Sequence, residues 1–121
     1  MTRSILATEN IETEALNQIS TYHEATVKEV QEAVKANKVV VIGMKQNPVV
    51  AKARKALKDA GVEFKYLEYG SYFAGWKPRL AIKIWSGWPT YPQVFVNGKL
   101  IGGARETEEA LKAGKIKSSK Q

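Results

Sequence analysis

Apolar positions follow two periods along this chain, and the switches between them mark out its elements. From Thr21 the pattern is helical: Thr21 and Glu24 stand three apart as a capping box, and Val27, Val30 and Val34 follow on one face. Lys28, Glu29, Glu32 and Lys35 are left for water, and the helix is expected to end near Asn37. Val39 to Ile42 is a continuous β-branched run, too short for a helix and apolar at every position, which predicts a strand with both faces covered. Within GMKQNPVVA, residues 43–51, the period changes again. Asn47 suits an N-cap, and Pro48 suits the first turn, where its missing N–H is not needed. Val49, Val50, Ala53, Leu57 and Ala60 then form the inner stripe of a second helix, with Lys52, Arg54, Lys55 and Lys58 outside and Gly61 as its stop.

Val62 to Tyr69 alternates and predicts a second strand, so strand, helix and strand make a right-handed βαβ unit with parallel strands. After a loop from Gly70 to Gly75, Trp76 to Trp85 has a helical pattern, with Pro78 in its first turn and Leu80, Ile82 and Ile84 available for packing. Gly87 to Pro92 is a proline-punctuated turn. Gln93 to Val96 and Lys99 to Ile101 flank Asn97-Gly98, a pair that favours a type I′ hairpin. Gly102-Gly103 breaks the chain before a last helix, Glu106 to Ala113, with its acids at the favourable end of the dipole. The order α, β, α, β, α, β, β, α predicts an α/β domain around a mixed sheet of about four strands. Residues 1–20 form a polar lead-in, frayed or folded as a short extra N-terminal helix, residues 21–114 form the domain, and residues 115–121 read as a basic, disordered tail.

Composition narrows the chemistry. A chain of 121 residues, 44% hydrophobic and 26% charged, fits one soluble globular domain. No run approaches the roughly 20 apolar residues of a membrane span, and no signal-peptide pattern opens the chain. The cytoplasm is therefore the default compartment, and no membrane partner is expected. The absence of cysteine excludes disulfides, thiol catalysis and thiolate metal ligands. His23 is the single histidine and is expected on a helix surface, so a metal site built by the protein alone is not expected. The charge of +7 either attracts anionic partners or simply solubilises the surface. Tyr69, Tyr72, Phe73, Trp76, Trp85 and Trp88 lie among Lys77, Arg79 and Lys83; most read as packing residues in preference to a nucleic-acid stacking surface, with an exposed patch for a partner protein as the alternative.

WPTYPQVFVNGKLIGG, residues 88–103, resembles the glutaredoxins of the thioredoxin fold, and its Trp-Pro-Thr-Tyr-Pro-Gln start most resembles the monothiol class. The likeness extends from Thr21 to the end of the last helix. It implies a cis peptide before Pro92, which would turn the Tyr91 backbone towards an extended peptide. It also places the family's active-site motif on Asn47, Pro48, Val49 and Val50, so both cysteine positions are lost and no nearby residue replaces the thiolate. The chain is shorter just before the motif than in the monothiol class, because only Gln46 follows Lys45. By the same resemblance, Lys45 and Arg79 would hold the glycine carboxylate of glutathione, and Tyr91 would pair with its cysteinyl unit between Thr90 and Pro92. Gly102, Gly103, Ala104 and Arg105 would meet the γ-glutamyl end. Arg105 stands where the family has an Asp, which reverses the charge offered to the γ-glutamyl ammonium; Glu106 restores an acid only if the register shifts by one.

Independently of the resemblance, a helix N-terminus beside Lys45 suits a carboxylate, phosphate or sulfate. The plainer reading makes Asn47-Pro48 only a good helix start, and Lys45 and Arg79 only surface charges. The reading carried forward is a cysteine-less, redox-inactive relative whose groove takes glutathione, a small anionic peptide or a protein partner; glutathione is the one cofactor implied. The alternative is an interaction module whose basic surface binds protein or, less expectedly, nucleic acid. Monothiol-type redox or iron–sulfur work would require a cysteine at the motif in the natural sequence.

Overall fold

In the computed structural model, which describes residues 6, 7, 9, 12–71 and 73–119, the β-branched run forms a strand buried along its whole length. This strand, β1 (Val39–Gly43), follows α1 (Thr13–Thr21) and α2 (Glu24–Ala36). It is succeeded by α3 (Pro48–Asp59), β2 (Lys65–Glu68), α4 (Trp76–Ser86), β3 (Gln93–Val96), β4 (Lys99–Gly102) and α5 (Ala104–Lys112). The sheet order is β2-β1-β3-β4, with β1 parallel to β2 and antiparallel to β3. The expected α/β architecture, a four-stranded mixed sheet flanked by helices with an extra helix at the N-terminus, is therefore the observed one.

Alternation along β1 divides the core into two layers. Val40 and Ile42 join Val30 of α2, Ile82 of α4 and Phe95 of β3 on one face. Val39 and Val41 join Leu57 of α3, Ala110 of α5 and Val94 of β3 on the other. Asn97 and Gly98 both take positive φ, as a type I′ hairpin requires. At the far end of β1, Gly43 is required by close packing: a Cβ there would lie 2.5 Å from a Val50 methyl carbon. Among the described residues, no helix is long and apolar enough to cross a membrane.

Several local expectations are corrected. The capping box at Thr21 does not form, because the Thr21 hydroxyl donates to the Asn17 carbonyl at 2.7 Å and closes α1 instead. His23 is not a residue of the helix surface; it caps α2 in the left-handed conformation, φ 47°. β2 is shorter than Val62 to Tyr69, because the Val62 N–H bonds the Leu57 carbonyl and the Glu63 N–H bonds the Ser119 hydroxyl. Leu80 and Ile84 are exposed while Ile82 is fully buried. Residues 115–119, expected as part of a disordered tail, pack: Ile116 is only 6% exposed within the α3/α5 layer, and the Ser119 N–H donates to the Gly61 carbonyl. Residues 120 and 121 lie outside the described residues, as do most of residues 1–11.

α5 begins at Ala104, two residues earlier than its acids suggest, because Gly103 serves as its N-cap. The Glu106 carboxylate accepts the Gly103 N–H at 2.9 Å, the reciprocal half of a capping box. That N–H, then the backbone N–H of Glu106 itself and the Arg105 guanidinium, hold the Glu106 carboxyl below the ordinary glutamate value. A lowered folded-state value contributes stability that is complete above the unfolded value of about 4.3 and is lost as pH falls through the folded one. Glu106→Ala is accordingly expected to cost about 1 kcal/mol in urea unfolding near neutral pH, with the difference from the parent shrinking in acid. An unchanged difference from neutral to acidic pH would exclude the carboxylate as its source.

Candidate functional site

Strand register brings the separated motifs to one end of the sheet. Ile42 lies opposite Gln93, so the chain leaving β1 runs beside Tyr91-Pro92. Val94 lies opposite Gly102, and a Cβ on Gly103 would sit 3.4 Å from the Pro92 carbonyl oxygen. On the other side the β1–β2 pairing continues: the Tyr69 N–H donates to the Gly43 carbonyl at 2.9 Å and the Lys45 N–H to the Gly70 carbonyl at 2.8 Å. Residues 43–50, 69–70, 79, 90–92 and 102–105 thus surround the C-terminal end of β1.

At the start of α3 the Asn47 side chain occupies the helix end. Its Oδ1 accepts the Val49 N–H at 2.9 Å and the Val50 N–H at 3.1 Å, while Pro48 has no N–H to offer. The donors expected to hold an external anion are therefore already engaged by the chain itself. Val49 points to solvent, and Val50 is buried against Gly43. Lys45 is exposed and makes no ion pair among the described residues.

Arg79 corrects the picture of a surface charge. It is only 8% exposed, and its Nη1 donates to the Tyr69 carbonyl at 2.9 Å and the Ala74 carbonyl at 2.8 Å. Through Nη1 alone the guanidinium joins the two ends of a loop that closes on itself by the Ser71–Ala74 bridge, so Arg79 ties that loop to α4. The Tyr91 hydroxyl donates to the Arg79 carbonyl at 2.6 Å, and burial pushes the phenol well above its ordinary value, so it remains a donor. Lys83 lies 5.6 Å above the Tyr91 ring. The Tyr91–Pro92 peptide is cis, as expected. Neither the N–H nor the carbonyl of Tyr91 has a main-chain partner among the described residues.

On the α5 side, Gly102 takes φ +121°, and a Cβ there would lie 2.7 Å from Glu106 Cγ. Arg105 extends outward and donates to Glu106 through Nε at 3.2 Å and Nη2 at 3.0 Å, with Glu109 4.0 Å away. The acid lying over the double glycine is therefore Glu106, partly neutralised by Arg105. Ala104 is buried, and Thr90 is exposed.

Gln93, the last residue of the Trp-Pro-Thr-Tyr-Pro-Gln string, belongs to this end of the sheet, although the sequence assigns it no role of its own. It is fully buried, and its Nε2 donates to the Trp88 carbonyl at 3.1 Å, fixing the turn before the cis peptide. Gln93 Oε1 and the buried Trp88 indole N–H, near Gly103, have no partner among the described residues. The aromatic segment is divided. Tyr69 and Trp88 are half-buried, with the Tyr69 hydroxyl bonded to Glu29, whereas Phe73 and Trp76 are 91% and 58% exposed and do not serve as packing. Trp85 stacks on Phe95 with one edge open, and Tyr72 lies outside the described residues.

The arrangement has known counterparts. The family model described as Glutaredoxin matches residues 39–101. A "Glutaredoxin-like protein" of Dictyostelium discoideum is 52% identical over 109 residues, covering 90% of this chain and 85% of that protein. A glutaredoxin of Vernicia fordii is 35% identical, covering 71% and 83%. Among solved structures, a buckwheat glutaredoxin–glutathione complex superposes with a TM-score of 0.68 at 25% identity, covering 82% of this chain and 86% of that one. Sequence and fold agree, and this cysteine-less chain belongs to the glutaredoxin family, with its thioredoxin-like fold.

Proposed function

We propose that the protein is a redox-inactive glutaredoxin relative that binds glutathione or a similar short anionic peptide along the edge formed by Tyr91. The observation that carries this reading is the unpartnered Tyr91 main chain beside β1 and Gly103. Such an edge takes an extended peptide by main-chain hydrogen bonds. Exposed Lys45 supplies a cation for a terminal carboxylate, and the Glu106 carboxylate supplies an acid for an ammonium at the other end, weakened by Arg105. The buckwheat neighbour, solved as a glutathione complex, supports the same choice of ligand.

Redox inactivity follows from side-chain chemistry: a carboxamide at position 47 forms no thiolate, attacks no disulfide and ligates no iron–sulfur cluster as a thiolate would. A protein partner is the second reading, favoured by the exposure of Phe73 and Trp76 on and beside the loop that Arg79 ties down. In both readings Arg79 shapes the groove wall and does not meet the ligand through Nη1.

Titration with glutathione, followed by amide NMR, is expected to shift Lys45, Tyr91 and Gly103 with a dissociation constant on the order of 1 mM. No movement of these signals at several-fold that concentration would refute the ligand assignment. Asn47→Cys is expected to place a thiol on the same two N–H groups, lowering its pKa by about one unit from roughly 8.5. Alkylation rate against pH reads that value directly, and an ordinary or raised pKa would show that the helix end no longer favours an anion. Arg79→Leu leaves the Tyr69 and Ala74 carbonyls without their donor and is expected to cost about 2–3 kcal/mol in urea unfolding. If Arg79 served only a ligand, stability would stay constant and affinity alone would fall.

A further inference from the structure

At the opposite end of the sheet, where β1 begins and β3 ends, lies an open cavity of about 770 Å³. Its walls come from the α2–β1 connection, the approach to β2, the hairpin and residues 115–119. Ordinary small-molecule sites occupy roughly 300–1,000 Å³, so this one has the size for a compact ligand. Its charge is one-sided: Lys38, Lys65, Lys115 and Lys117 line it against a single carboxylate, Glu63. None of the four lysines makes an ion pair among the described residues.

The basic rim is held in place by folding. Ile116 is buried in the α3/α5 layer, and the Lys115 N–H donates to the Ala110 carbonyl at 2.9 Å. Beyond them the Ser119 N–H reaches the Gly61 carbonyl at 3.0 Å, and the Ser119 hydroxyl accepts the Glu63 N–H at 2.6 Å. Lys117 lies between these anchors, so its backbone, like that of Lys115, is fixed at the mouth. Lys38 is placed by the hairpin, whose Asn97 N–H donates to its carbonyl at 2.7 Å. Like charges placed around one concavity by packing raise the local potential, and a multiply charged anion relieves it. Ammonium groups are good phosphate donors, acting as point charges.

We propose that this cavity binds a small phosphate-bearing anion with at least two negative charges, at a site separate from the Tyr91 groove. The concave shape favours a compact ligand over a nucleic-acid strand lying across the surface.

Inorganic pyrophosphate titrated into the full chain, followed by amide NMR, tests this. Shifts are expected at Lys38, Lys65 and residues 115–119, with Lys45, Tyr91 and Gly103 unmoved. The double substitution Lys38→Glu with Lys117→Glu is expected to weaken binding at least tenfold. Lys28→Glu with Lys77→Glu changes net charge equally away from the cavity and is expected to leave affinity within twofold. Lys38→Met with Lys117→Met serves as a milder pair, and the amide spectrum of each variant reports its fold. Three outcomes would overturn the proposal: shifts confined to the Tyr91 groove, equal loss in both charge-matched pairs, or no saturable shift. Tighter binding of single-stranded oligonucleotide than of pyrophosphate at equal phosphate concentration would replace the small anion with nucleic acid.

Discussion

β1 is buried on both faces, and no helix or loop of functional interest is placed without it. An apolar strand with no solvent side must be covered twice, and the chain meets that demand with α2 and α4 on one face and α3 and α5 on the other. Its two edges are also occupied, by β2 in parallel and β3 in antiparallel orientation. Parallel pairing carries residues 69–70 alongside residues 43–45, and antiparallel pairing brings Tyr91-Pro92 to the same end. The Tyr91-Pro92 turn and the lysine-lined cavity thus lie at the two ends of one strand, and their separation is fixed by its length.

Around the C-terminal end of β1, polar groups that could face a ligand are largely bonded to the chain. Asn47 holds the first N–H groups of α3, Arg79 joins the two ends of the 69–75 loop, and Glu106 holds the Gly103 N–H while pairing with Arg105. Buried Tyr91 keeps its proton and gives it to the Arg79 carbonyl, so the cis-proline turn and α4 are joined by one hydrogen bond. Among the polar groups at this end, the Tyr91 main chain has no main-chain partner and Lys45 no ion pair among the described residues.

Much of this was legible in the sequence. Period changes at Val39, Asn47 and Gln93 located the central strand, the second long helix and the hairpin, because each element's burial imposes its own spacing. That Lys45, Tyr91-Pro92 and Gly102-Gly103 belong together came from the resemblance of residues 88–103 to the glutaredoxins and not from periodicity, which says nothing of register between distant strands. What could not be read depended on contacts distant in sequence or on choices between equivalent donors. Thr21 has the right chemistry for a cap but bonds backwards to Asn17, leaving His23 to turn the chain through a left-handed conformation. Arg79 looks like a surface cation until the loop carbonyls that hold it are seen. A lone isoleucine in KIKSSKQ gave no periodicity, although Ile116 reaches the core.

The Asn47 carboxamide has a consequence for any anion that approaches α3. It is a tethered competitor: attached to the residue that precedes the helix, it is present at a local concentration no free ligand in a cell can match. An outside carboxylate or phosphate binds those two N–H groups only in the fraction of molecules whose side chain has rotated away, so its apparent affinity is reduced by that fraction. A single side chain thereby caps the helix start, and the end of the helix behaves as a site supplied with its own ligand.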